Sequence, residues 1–226
     1  MKLGIAVKLG LLLAMVGVLA SGVTGFYAYQ ASRSLLVQSA KAELLTTTRV
    51  LTRRITLSRE EVSRNLQLLA GHPAAALAAQ GRSLPDEDQM GTLMEQMMLA
   101  NPSYFQIRLI SASDNGLERV RVDRAEDRLV RVRGDDLQEK GHFSYVSSAL
   151  KLATGATFLS RLVINHERGA HAGLDQPSVI LATPVQDPQG KTVGVVVINL
   201  DLNGVFASLR ADLPKDYQLF LANRNG

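Results

Sequence analysis

Leu9 to Ser32 are 24 consecutive residues without a charge, close to the start of the chain. A helix needs about 20 apolar residues to cross a bilayer core. Leu9 to Tyr29 supplies them, with Leu11, Leu12, Leu13, Met15, Val16, Val18, Leu19 and Val23 at its centre. Phe26, Tyr27 and Tyr29 fall at its outer end, where amphipathic rings favour the interface. Lys2 and Lys8 precede the stretch, and Arg33 and Lys41 follow it with Glu43. The balance leans towards an N-terminus inside the cell. The expected order is therefore a cytoplasmic tail over 1–8 and a transmembrane helix over 9–29, with the remainder outside. A cleaved signal peptide is the alternative, with Val18-Leu19-Ala20 as its cleavage site. It leaves the apolar residues beyond Ala20 and the aromatic cluster unexplained.

The remaining residues suffice for one large domain or a domain and a half. The 226-residue chain has no cysteine, so disulfides and thiolate zinc sites are excluded. Its formal charge of +4 does not point to nucleic acid. The densest basic stretch, Arg119 to Arg133, is interleaved with Asp123, Glu126 and Asp127. Mixed signs of this kind mark a solvated surface, not a phosphate-tracking stripe.

From Gln30 to about Ala70 there is no Gly or Pro. Leu44, Thr48, Leu51, Ile55, Ser58, Val62, Asn65 and Leu69 recur at helical spacing, widened by Leu45 and Leu66. One long helix is expected over 30–70, its seam packing on its own domain in one part and on a partner helix in another. Gly71-His72-Pro73 ends it, and Pro73 starts a short helix to Gln80. Asp86 to Ala100 reads as a further helix with Met90, Leu93, Met97 and Met98 on one side. Such a stripe belongs to an adaptable core.

The period then changes to two. Tyr104–Ser111, Leu117–Arg124 and Leu129–Val132 read as strands, with Asp114-Asn115-Gly116 as the first turn. Asp135 or Asp136 is expected to cap a helix reaching about Leu152. Thr157–Val163, Ser178–Val185 and Thr192–Leu200 complete the strands, the last two joined by Asp187-Pro188-Gln189-Gly190. Long helix first, then a meander interrupted by one helix, is an α+β layout with an antiparallel sheet.

Five runs stand in order: Tyr104-Phe105-Gln106-Ile107-Arg108, Gly116 to Val122, Leu137-Gln138-Glu139-Lys140, Ala182-Thr183-Pro184-Val185 and Gly194 to Asp201. Together, behind a membrane segment, they resemble the extracytoplasmic sensors of double Cache (PAS-like, double PDC) type. Such sensors front bacterial histidine kinases, diguanylate cyclases and chemoreceptors. The resemblance covers about residues 30–226. It implies a membrane-distal PAS-like unit over 71–210 and the start of a membrane-proximal unit over 211–226, broken off at the chain end. It also implies a cytoplasmic kinase, cyclase or chemoreceptor output that these residues do not include, and a homodimer through the long helix in the bacterial inner membrane.

His166-Glu167-Arg168-Gly169-Ala170-His171 has the wrong spacing for a zinc protease, which needs its two histidines at i and i+4. There is no G-x-S-x-G elbow and no P-loop. No catalytic residue, metal or cofactor is therefore assigned. The resemblance places ligand contacts near Lys140, His142 and Tyr145, and a ligand-amine carboxylate at Asp201. His142 and Ser144 stand where amino-acid-binding members carry Arg and Trp, so the expected ligand is a small polar or anionic molecule. Lys140 also reads as a solvated residue, Tyr145 as core and Asp201 as a helix cap. Arg108, Arg119 and Arg121 form a second set. Arg119 and Arg121 share a strand face by the period of two, either paired with Glu118 and Asp123 or, with Arg108, at a pocket rim. The pocket is expected between Thr157–Val163, Thr192–Leu200 and Lys140–Tyr145. A structural or partner-binding periplasmic spacer without its own ligand, and a secreted solute-binding protein after signal cleavage, are the other readings.

Overall fold

The computed structural model describes residues 4–125, 128–164, 177–211 and 213. The chain divides into two units, Met1–Arg54 and Ile55–Gly226. Helix α1 runs from Ile5 to Ala70 without a break, as the absence of Gly and Pro beyond Gln30 requires. In the first unit it is long and apolar enough to cross a membrane. Its Leu9–Leu19 and Phe26–Tyr29 side chains, and further on Leu35, Leu36, Leu44 and Leu45, are exposed.

In the second unit the end of α1 turns Val62, Leu66 and Leu69 into a core. The unit continues with α2 (Pro73–Ala79) and α3 (Leu84–Ala100). The His72 imidazole caps α2 by accepting from the Ala74 N–H at 3.2 Å. Ser83 caps α3, and Pro85 sits in its first turn, where a missing N–H is harmless. That helix therefore starts two residues before the predicted Asp86. Met90, Met94 and Met98, one turn apart, are its fully buried side chains.

Among the described residues a seven-stranded antiparallel sheet follows: β1 (Tyr104–Ser111), β2 (Glu118–Ala125), β3 (Arg128–Val132), β4 (Phe158–Leu159), β5 (Val163–Ile164), β6 (Pro177–Gln186) and β7 (Thr192–Asp201). The spatial order is β3-β2-β1-β7-β6-β4, and β5 also pairs with β6. One face carries Ile107, Leu109, Val120, Val122, Val196, Ile198 and Leu200 against α1, α2 and α3. The other carries Ile110, Val195, Val197, Ile180 and Ala182 against helix α4 (Ser144–Ala149). The alternation of two makes one sheet serve both cores.

Two predicted elements differ, and so does the expected pocket. The expected strand Thr157–Val163 is two short pieces. The Ser160 hydroxyl accepts the Ile180 N–H at 2.9 Å and so stands in for a ladder carbonyl. The predicted helix from Asp135 to Leu152 shrinks to α4. Gly134–Asp136 forms a 3-10 turn, and Leu137–Lys140 is drawn onto the β1–β2 turn by the Lys140 N–H to Gly116 carbonyl bond at 2.8 Å. The pocket walls Thr157–Val163 and Thr192–Leu200 are not neighbours, because β6 lies between them. The segment 165–176, with the His166–His171 motif, and nearly all of 211–226 lie outside the described residues.

Candidate functional site

The sheet face opposite α1–α3 holds buried polar side chains. Gln106 and Arg108 lie on β1, Arg121 and Asp123 on β2, and Asn199 on β7. Each is at most 1% exposed. Register brings them together: Gln106 pairs with Asp123 and Asn199, and Arg108 with Arg121.

These five and Glu118 close into a ring. Arg108 Nη2 donates to Asn199 Oδ1 at 3.1 Å. Asn199 Nδ2 donates to Gln106 Oε1 at 3.1 Å, and Gln106 Nε2 to Asp123 Oδ1 at 2.9 Å. Arg121 grips Asp123 with a fork, Nε to Oδ1 at 2.9 Å and Nη2 to Oδ2 at 2.7 Å. Its Nη1 reaches Glu118 Oε2 at 3.5 Å, and Glu118 Oε1 lies 3.5 Å from Arg108 Nη1. Burial opposes the charge on the Arg121 guanidinium. The Asp123 hydrogen bonds, with the fields of Asp123 and Glu118, outweigh burial and the repulsion of Arg108, so its pKa is raised.

A shift in register explains why Glu118 belongs here. Leu109 pairs with Val120, but Ile110 pairs with Glu118, which leaves Arg119 as an extra residue. The bulge puts Glu118 on the face of Arg108 and Arg121. Arg119 turns away to Asp114 and packs against Gly81. Arg119 and Arg121 thus do not share a face, contrary to their even spacing. Nor do Arg108 and Arg121 stand at a rim: their ion pairs lie in the floor of the face.

Tyr145 stands over this floor. It is buried on α4, with the Arg108 Cζ 5.3 Å from its ring centroid, a cation–π distance. Lys140 is buried too, its Nζ donating to Gln138 Oε1 at 2.9 Å and lying 5.1 Å from the Phe143 ring centre. A solvated Lys140 is thereby ruled out. His142 is exposed, packs its ring at a tilt against Phe143 and lines a separate groove of about 590 Å³ with Ser111–Gly116, Glu139 and Leu150. Asp201 lies two residues beyond Asn199, and its Oδ1 accepts the Asn203 N–H at 2.9 Å. That bond caps α5 (Leu202–Ala211). The structure brings Arg108, Arg121 and Tyr145 together and gives His142 and Asp201 other surroundings. Gln106, Glu118, Asp123 and Asn199 were missing from the predicted set. For Gln106 and Asp123 the signal is a polar pair at i and i+2 within a strand, as in Gln106-x-Arg108 and Arg121-x-Asp123.

The fold is shared with known sensors. The domain of a sensory box/GGDEF family protein from Vibrio parahaemolyticus superposes with a TM-score of 0.63 at 17% identity, covering 74% of this chain and 62% of that one. The extracellular domain of vpHK1S-Z8, described as a histidine kinase, gives 0.64 at 16% identity, covering 76% and 63%. The sensory domain of the Campylobacter jejuni chemoreceptor Tlp3 gives 0.56 at 15%, covering 74% and 62%. The chain thus spans less than two thirds of each of these domains. No curated protein matches it. Residues 38–226 match the model of the bacterial histidine kinase sensor domain, and the chain belongs to that family.

Proposed function

We propose that residues 71–210 are the membrane-distal, ligand-sensing unit of a bacterial receptor. Residues 9–29 anchor it in the inner membrane, with 1–8 in the cytoplasm and a second unit beginning at 211–226. The observation that carries this reading is the buried polar ring beneath Tyr145, set in a fold used by sensor domains. The Tlp3 domain, which has the same fold, has been solved with L-norvaline and with L-valine. The ring pairs Arg108 and Arg121 with Glu118 and Asp123, so its formal charges cancel. With its own charges paired, the floor suits a small polar ligand, held against Arg108, Tyr145 and Lys140, whose ammonium also admits an anion. Occupancy would shift the receptor only by as much as affinity differs between its two states. The exposed Leu44, Leu45 and Ile55 of α1 support a homodimer through that helix, and the kinase, cyclase or chemoreceptor output lies on the far side of the membrane.

A second reading, a periplasmic spacer without a ligand, is favoured by one observation: Asp123 already fills the fork of Arg121. Thermal-shift screening of the full chain in detergent separates the two. L-amino acids, short carboxylic acids and primary amines form the panel. A sensing unit is stabilised by a member of one class over the others; a flat response across the panel supports the spacer.

A further inference from the structure

We infer that Glu118 is a positioning residue, which clamps the segment from Leu137 to His142 onto the sheet and so sets Tyr145 over the ring. The inference rests on the sensing reading for its purpose, but not for its geometry. The Glu118 side chain is fully buried. Its Oε2 accepts the Gln138 N–H at 3.1 Å as well as Arg121 Nη1. Its backbone N–H donates to the Gln138 carbonyl at 3.0 Å. Leu117 and Glu139 form an antiparallel bridge beside it. The Gly141 N–H donates to the Asn115 carbonyl at 2.9 Å.

The segment lies close enough to the turn that side chains are excluded. A Cβ on Gly141 would come 2.5 Å from the Asn115 oxygen, and one on Gly116 would come 2.6 Å from the Gly141 Cα. Beyond Gly141 and two further residues the chain enters α4, which carries Tyr145. One carboxylate therefore joins β1 through Arg108, β2 through Arg121 and the segment through Gln138. A buried ion pair is poor evidence of stability, since apolar residues of like volume often serve as well. What an apolar residue cannot supply is an acceptor shared by Arg121 and the Gln138 N–H. Among the described residues Oε1 makes no hydrogen bond and only faces Arg108, so the firm hold of this side chain is Oε2.

Hydrogen exchange on the full chain in detergent, without ligand, tests the clamp. In Glu118→Ala, the amides of 137–142 are expected to exchange about tenfold to hundredfold faster, as loss of a charged acceptor implies. β6 and β7 should keep their protection. Glu118→Gln retains an acceptor for the Gln138 N–H and should restore most of the protection in the segment. Gly141→Ala opens the same segment by a different route, so adding it to Glu118→Ala should change little further. Unchanged exchange in 137–142, or an equal rise across β1, β2 and β7, would overturn the inference. Should Glu118→Ala fail to fold, the Gln variant decides: protection as low as in Gly141→Ala would overturn it. Because no ligand is present, a failed ligand search and a failed clamp give different results.

Discussion

Arg108 and Arg121 are direct cross-strand partners, with both guanidiniums buried. Like charges in this position repel. Two carboxylates resolve the conflict: Asp123 forks Arg121, and Glu118 lies 3.5 Å from both arginines. Each buried charge then depends on a partner two or three residues away or on another strand. Such a face is sensitive to removal of any one member and tolerant of concerted replacement.

Asp123→Ala leaves Arg121 buried without its fork. A loss of about 3–5 kcal/mol in folding stability is expected from chemical denaturation. Replacing both partners, Arg121→Met with Asp123→Leu, should recover most of it. A double variant as unstable as the single one would show that the ring has a role beyond charge pairing.

Asp201 caps α5 through the Asn203 N–H. Asp201→Ala should lower stability by about 0.5–2 kcal/mol. Asp201→Asn, which keeps the acceptor, should lie close to wild type. Equal losses in both would point to the charge instead of the cap.

Glu87 is half-buried, and its pKa is raised by burial, with Arg119 opposing and Asp88 adding to the effect. A carboxyl whose folded pKa lies above its unfolded value adds stability below the ordinary glutamate pKa. That stability is lost as pH rises through the raised folded value. Glu87→Gln should therefore be the more stable form at neutral pH, and its advantage should vanish in acid. An advantage that grows in acid would reverse the sign.

In a homodimer through the lower part of α1, single cysteines at Leu44, Leu51 or Ile55 should cross-link under mild oxidation. Cysteines at Thr46 or Arg53, on the other side of the helix, should not. Equal yields at all five positions would remove the case for a specific helix pair.

Long regular elements were legible from composition and period. Between Gln30 and Ala70 nothing breaks a helix, and α1 has no break there. The alternation in Tyr104–Ser111 and the Asp187–Gly190 turn gave β1 and the β6–β7 hairpin. The upper seam residues Val62, Leu66 and Leu69 are core. Local irregularity was not legible. A one-residue bulge at Arg119 exchanges the faces of Glu118 and Arg119, and a period of two has no means of anticipating it. Residues 137–140 carry helix-compatible side chains, yet backbone bonds of this segment go to the β1–β2 turn, a tertiary partner absent from any local window. The site suffered for the same reason: Glu118 read as a surface partner until the bulge turned it inward.

The proposed sensing face is tested most directly by calorimetric titration of the full chain with the compound that gives the largest thermal shift. Arg108→Gln and Tyr145→Ala should each weaken binding about tenfold to hundredfold, as loss of a partner to a polar or charged group implies. His142→Ala, in the separate groove, should bind like wild type. Wild-type affinity in the Arg108 and Tyr145 variants, with loss confined to His142→Ala, would contradict a ligand site above the ring.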